Sequence, residues 1–385
     1  MVKWASIALV LLMFVSPNSA TAAGPTTAPF ADAFRFGVNF SSLQGAPEKL
    51  PGHLNGEVFV TPESHFAYYE SKGLTHIRLE GSWERLQPRL EGPLGEQLLD
   101  HYNDADNPLR NPANLVRHYL DLAQKHHLKV FLDLAHNYGS RRVGYDGTWN
   151  SNTSAQLGSA ELPVKAFVDY NVKLVKEFGK HPAVIGIELM NEPHDLVIGA
   201  DGWVDACQKS IDGIRAVDRS IAIYIDGYGW ASAEYWSKRN PNLHTLRDRS
   251  NRLIFTAHQY FDDSSVGVYK GSEATTPTHD RSDIGARRIQ PFIEWIETHH
   301  LQGHASLGEF GAPNTPRWAE VVRQTMRAAS AGDLMLTAHE DVPYKNDPYV
   351  MNLFPPEGEG DRFVIQLMDS AKNRTPLIQT PITPP

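Results

Sequence analysis

The chain has 385 residues, 41% hydrophobic and 21% charged, with a formal net charge of −9. That length holds one decorated barrel or two ordinary domains, and the composition excludes a disordered chain. The acidic balance argues against a polyanion such as nucleic acid as partner, and a single cysteine, Cys207, excludes an intramolecular disulfide.

Residues 1–22 read as a signal peptide: Lys3 makes the start positive, residues 5–15 are an apolar run, and Ala20-Thr21-Ala22 is a small-x-small cleavage pattern. The run is too short to span a bilayer with comfort. A secreted chain, extracellular or periplasmic and free of the membrane after cleavage, is therefore expected. Residues 23–33 are a linker. Residues 36–39 then open a series of strand-like runs. Thr61-Pro62 caps a helix that Gly73 stops, and residues 75–79 form the next strand. Leu115, Tyr119, Leu122 and Ala123 mark a helix face, followed by a buried strand at 129–134. Val164, Phe167, Val168, Val175 and Phe178 mark another face, closed by Gly179, and lead to a strand at 184–190. A helix around 203–217 precedes strand 221–226, and 253–258 is the sixth strand. Ile289, Phe292, Ile293 and Ile296 share a helix face before strand 305–308. Thr315-Pro316 caps a helix carrying Trp318, Val322, Met326 and Ala329, and 334–337 is the eighth strand. Residues 375–385 carry four prolines and read as an extended tail.

Repeated β–α units imply a parallel sheet, and eight of them imply closure into an α/β (β/α)8 barrel of the TIM type, one domain over residues 34–374 with long rim loops. An open doubly wound sheet would carry Gly-x-Gly-x-x-Gly after its first strand, and none is present. The site of such a barrel lies at the C-terminal strand ends. There stand Asn39, Arg78, Trp83, His136, Tyr138, Asn191, Glu192, Tyr228, Trp230, His258, Tyr260 and Glu309.

Glu192 and Glu309 each end an apolar strand. Two carboxyl groups facing each other across a glycosidic bond hydrolyse it without metal or cofactor; the plainer alternative is a pair of rim glutamates bound to Arg or Lys. Trp83 and Trp230 are the candidate aromatic floor for a pyranose ring. The segment 139–162 is long enough to wall a cleft.

Ile187-Glu188-Leu189-Met190-Asn191-Glu192-Pro193-His194 resembles the Asn-Glu-Pro signature of retaining barrel glycosidases, and Leu307-Gly308-Glu309-Phe310-Gly311 resembles their strand-seven nucleophile motif. Gly37-Val38-Asn39, Ile77-Arg78-Leu79, Trp83-Glu84-Arg85-Leu86-Gln87-Pro88, His136-Asn137-Tyr138-Gly139 and His258-Gln259-Tyr260 extend the match from Phe36 to Trp318. The chain resembles glycoside hydrolase family 5, the cellulase family, and most of all its secreted bacterial endo-β-1,4-glucanases. The resemblance implies Glu192 as acid/base, Glu309 as nucleophile, Asn191 on the sugar 2-hydroxyl and Arg78 keeping Glu309 ionised. It also implies His136 and His258 at the sugar subsite and Tyr260 orienting the nucleophile. Retaining cleavage of β-1,4-glucan follows, by a monomer acting on polysaccharide or oligosaccharide with no metal or cofactor. β-Mannan, xyloglucan and β-1,3-glucan are alternative substrates for the same site.

Two features depart from the family: one residue is added before the histidine in Asp133-Leu134-Ala135-His136, and the end of strand eight differs. The family's strand-eight tryptophan is missing: the region reads Leu334-Met335-Leu336-Thr337-Ala338-His339-Glu340, with His339 or Tyr344 as candidate substitutes. That departure is the support for a competing class, a non-catalytic carbohydrate-binding barrel. A metal-dependent hydrolase, prompted by 17 histidines, lacks a His-x-His pair on strand one, and His126-His127 and His299-His300 fall on outward helix faces.

Overall fold

Alternating strand and helix signals resolve into eight parallel strands that close on themselves. The structure is a computed structural model that describes residues 35–149, 153–277, 281–342 and 350–372. The expected signal peptide, linker, extended tail and Tyr344 lie outside the described residues.

The barrel strands are β1 (Phe36–Leu43), β2 (His76–Gly81), β3 (Lys129–Asp133), β4 (Val184–Glu188), β5 (Ala222–Asp226), β6 (Leu253–His258), β7 (Ala305–Phe310) and β8 (Met335–Asp341). Each pairs in parallel with the next, and β8 returns to β1 with Phe36 opposite Leu336 and Val38 opposite Ala338. The outer helices are α1 (Glu63–Ser71), α2 (Pro112–Lys125), α3 (Val164–Phe178), α4 (Gly199–Arg215), α5 (Ile284–Thr298), α6 (Pro316–Ala331) and α7 (Phe363–Lys372). Between β5 and β6 the α-helix shrinks to one turn, Trp236–Arg239.

Local chemistry explains most boundaries. Asn111 accepts from the N–H groups of Ala113 and Asn114 at the start of α2, with Pro112 in the first turn. Thr315 caps α6 in the same way ahead of Pro316. Thr61 does not cap α1: its hydroxyl bonds Ser42 and its N–H donates to Tyr119 Oη, so the helix starts after Pro62 without a side-chain cap. The first and last strands run further than their apolar runs, because their outer ends carry polar site residues. Cys207 is buried in α4.

Residues along a barrel strand alternate between lumen and helix layer. On β2, His76, Arg78 and Glu80 share one face, and the apolar Ile77 and Leu79 share the other. The lower lumen is quiet. Phe131 and Tyr224 stack at 4.2 Å and pack with Ala222, Ile254 and Met335. His76 Nε2 lies 2.9 Å from Thr337 Oγ1. Gly37 is required there, since a Cβ would stand 2.2 Å from the His76 ring. The upper lumen is filled with charge. The long segment after β3 forms a hairpin, Ser140–Arg142 against Ser154–Gln156. Arg141 pins it to the rim by donating to the carbonyls of Gln87 and Pro88 at 3.0 and 2.8 Å.

Candidate active site

Arg78 organises the upper lumen. It is fully buried, and a buried guanidinium persists only with its donors matched. Nε and Nη2 donate to the two oxygens of Glu188 at 2.9 and 2.6 Å. Nη1 donates to Asn39 Oδ1, Glu80 Oε1 and Glu309 Oε1 at 3.0, 3.2 and 2.7 Å. Nη2 also reaches Asn191 Oδ1 at 2.7 Å and Asp133 Oδ2 at 3.0 Å.

Glu309 sits inside β7, one residue beyond the predicted strand, where a register shift sets it opposite His258. Its other oxygen accepts from Tyr260 Oη at 2.6 Å. Burial alone would raise its pKa, but the cations of His258, Arg78, His339 and His136 hold it well below the usual carboxylate range. Glu192 follows β4 with a left-handed backbone, φ 45°, fixed by its N–H donating to Asp226 Oδ2 at 2.8 Å. That bend points its carboxylate into the cleft. Oε1 lies 2.9 Å from His258 Nδ1, which is also 3.6 Å from Glu309. One oxygen of each glutamate lies within 4.8 Å of the other.

The histidines are charged by their neighbours. Burial would lower His258, yet Glu309, Asp226 and Glu192 raise it to about 10. His136, which follows Asp133 by three residues, turns Nδ1 back onto Asp133 Oδ2 at 2.6 Å. Against its burial, Asp133 and Glu80 raise it to about 9. Its Nε2 lies 2.9 Å from Tyr138 Oη.

Beside Glu192 opens a cleft of ≈400 Å³, lined by Tyr138, Trp230, Tyr235, Arg239, His258, Tyr260 and Val266. Trp230 is 46% exposed there and stacks on His194, with centroids 3.4 Å apart. Trp83 corrects the expectation of a sugar floor. It is wholly buried, stacked on Tyr170 at 4.9 Å under the Arg141 guanidinium, and its indole N–H donates to Gln87 at 2.9 Å. Its backbone N–H holds Asn137, so it shores the rim from beneath. Sequence reasoning missed Glu80, Asp133, Glu188 and Asp226, which the period-2 pattern of β2 to β5 would have placed in the lumen.

His339 stands at the end of β8, where the resemblance calls for a tryptophan. Its ring is 5.8 Å from that of Tyr260 and nearly perpendicular to it, and Nδ1 lies 3.9 Å from Glu309. Against its burial, Glu340, Glu309 and Glu80 raise its pKa to about 9.

A closed parallel barrel that brings two carboxylates together at its C-terminal rim, beside an open cleft, defines a class: the barrel glycoside hydrolases. The chain belongs to the cellulase family, glycosyl hydrolase family 5, whose family model matches residues 36–340. The solved Pseudomonas stutzeri endoglucanase Cel5A in complex with cellobiose is 31% identical, with a TM-score of 0.73 over 91% of this chain and 94% of that one. The probable endo-beta-1,4-glucanase B of Neosartorya fischeri is 26% identical over 366 residues, 91% of this chain and 94% of that protein. The manganese dependent endoglucanase Eg5A of Phanerodontia chrysosporium is 25% identical over 268 residues, and the match spans 69% of this chain but 60% of that protein.

Two carboxylate–imidazole groups, Glu80–His136–Glu309 and Glu192–His258–Glu309, bring ligand-type atoms within 4.8 Å of one another. Arg78 already donates to Glu80 and Glu309, so a cation in either group would compete with the guanidinium for those oxygens and with the proton on the imidazole. His126 and His127 pair instead with Glu63 and Glu70 on the outer helices.

Proposed function

We propose that the protein is an endo-acting β-1,4-glucanase that retains anomeric configuration, with Glu309 as nucleophile and Glu192 as acid/base. The observation that carries this is the unequal pair at the rim. Glu309 is held as an anion by Arg78 and the histidines, and Glu192 reaches into the cleft within 4.8 Å of it. That approach is in keeping with the retaining arrangement, in which the two carboxyl groups stand about 5–5.5 Å apart. Glu309 attacks the anomeric carbon while Glu192 protonates the departing glycosidic oxygen. His258, protonated and 2.9 Å away, is the nearest proton reserve for Glu192. Water then displaces Glu309 as Glu192 takes its proton. Asn191, held by Arg78, faces the sugar 2-hydroxyl; Tyr260 aims Glu309, and Trp230 lines the cleft beside Glu192 as a floor for the glycan. The β-1,4-glucan preference is supported by relatives named as endoglucanases, one of them solved with cellobiose.

Export after signal cleavage, supported by the N-terminal pattern, and action as a monomer are part of the same proposal. Among the described residues, no helix is long and apolar enough to cross a membrane. The test incubates the mature protein and a Glu309→Gln variant with soluble cellulose, mixed-linkage glucan, mannan and xyloglucan, and sizes the products. Glucan fragments from the unaltered protein, and a loss of about 10⁴-fold or more in the variant, are expected. Activity surviving in the variant removes Glu309 from the nucleophile role. A folded but inactive unaltered protein returns the binding-barrel reading.

A further inference from the structure

Glu80 is a second carboxylate at the nucleophile, 1% exposed and unused by the mechanism above. It shares both of its nearest cations with Glu309. The same atom of Arg78, Nη1, donates to Glu80 at 3.2 Å and to Glu309 at 2.7 Å. The same atom of His339, Nδ1, lies 3.9 Å from each. His136 approaches Glu80 from the third side at 4.0 Å.

This sharing matters because the reaction removes one of the two anions. When Glu309 forms its bond to the anomeric carbon and the glycosidic C–O bond breaks, its charge disappears into an ester. Arg78 and His339 then lose an anion in a buried setting, where unmatched charge is destabilising. Beside Glu188 and Asp133 on Arg78 and Glu340 on His339, an ionised Glu80 is the one anion left that both cations share. Before attack, its repulsion of Glu309 raises the energy of the nucleophile; after attack, that repulsion is gone. Water attack restores the Glu309 anion and the repulsion with it.

Resting on the nucleophile assignment above, we propose that Glu80 is a positioning residue that holds Arg78 and His339 while Glu309 is esterified. Its negative charge thereby speeds formation of the glycosyl-enzyme and slows its hydrolysis. Burial raises the Glu80 pKa, His136, Arg78 and His339 lower it and Glu309 raises it, leaving it at about 7. Its influence therefore grows as pH rises through neutrality, within a group that also includes Glu340 against His339.

The experiment uses dinitrophenyl 2-deoxy-2-fluoro-β-cellobioside, which traps the intermediate, on the full chain and on Glu80→Gln and Glu80→Asp variants. Two rates are read across pH: loss of activity as Glu309 is labelled, and recovery after excess reagent is removed. Above neutral pH, Glu80→Gln labels about tenfold more slowly, the effect of about one unit of carboxyl pKa, and recovers faster. Its rates meet those of the unaltered protein at acidic pH, where Glu80 is protonated, and Glu80→Asp keeps the unaltered behaviour. If Glu80→Gln does not fold, His339→Asn decides: removing a shared cation must slow recovery. Two rates that fall together, or that do not move, overturn the proposal. Peptide mass analysis showing no label on Glu309 in the unaltered chain overturns the nucleophile assignment itself.

Discussion

His76 and His258 are both buried inside one barrel, yet one is neutral and the other carries a charge. His76, in the lower lumen beside Thr337, is pushed down to about 3 by burial and stays neutral. His258, in the upper lumen, is lifted to about 10 because Glu309, Asp226 and Glu192 outweigh the same burial. Burial thus fixes the cost of a charge and the neighbours decide whether it is met. The lower layer is packing and the upper layer is an electrostatic machine, one turn of side-chain alternation apart: His76 and Arg78 are separated by a single residue of β2.

The sharpest way to break that contrast is Arg78→Met, which makes the upper layer as apolar as the lower. It strands Glu188, Asp133, Glu80 and Glu309 around a lost cation. Urea unfolding should show a loss of about 3–5 kcal/mol, together with loss of activity. A change below about 1 kcal/mol would mean that the carboxylates simply take up protons.

Next in size is the pair of tryptophans. Trp83→Ala empties a buried site and should lower stability by about 3–5 kcal/mol, with KM of the folded fraction unchanged. Trp230→Ala should leave stability within about 0.5 kcal/mol. It should raise KM on soluble glucan about fivefold, matching about 1 kcal/mol of ring contact. The reverse pattern would place the sugar against the wrong ring.

The smallest effect is in the pH dependence of stability. The native pKa of His76 lies below its ordinary 6.5, so its contribution is intact above that value and is lost as pH falls toward about 3. The native pKa of His136 is raised from 6.5 to about 9, so its contribution is complete below 6.5 and is lost as pH rises through about 9. His76→Leu should flatten the acid side of the unfolding free energy, and His136→Asn the alkaline side. Identical pH profiles for the two variants would erase the distinction between the layers.

The strands and outer helices were legible because apolar runs or faces end in turns or caps, as with Gly179 and Pro316. The rim positions of Arg78, Asn191, Glu192, His258, Tyr260 and Glu309 were legible because each lies at or just beyond a strand end. Trp83 was misread for the same reason. Two residues past β2 the chain turns into one helical turn, Trp83–Leu86, whose indole drops onto Tyr170 of α3. Position along the chain carried no information on that direction. Glu80 and Asp133 were overlooked because a charged residue inside an apolar run reads as an exception until strand alternation assigns it to the lumen. The helix α7 escaped because its apolar cluster, Phe363 to Met368, follows a segment without strand signals. At β8 the missing tryptophan was noticed, but of the three carboxylates that charge His339 only Glu340 adjoins it in the chain, while Glu309 and Glu80 lie on β7 and β2.

The seam between β8 and β1 has a consequence for how this molecule comes into being. Asn39 donates its side-chain amide to the carbonyls of Gly308 and Ala338, 269 and 299 residues further along. Its oxygen receives Arg78. No early portion of a growing chain can therefore hold the guanidinium in its final pose, because the last strand must arrive first. Such long-range closure makes assembly slow and cooperative. A polypeptide nicked between β4 and β5 would have no competent half, and only reunion of both pieces would restore the ring.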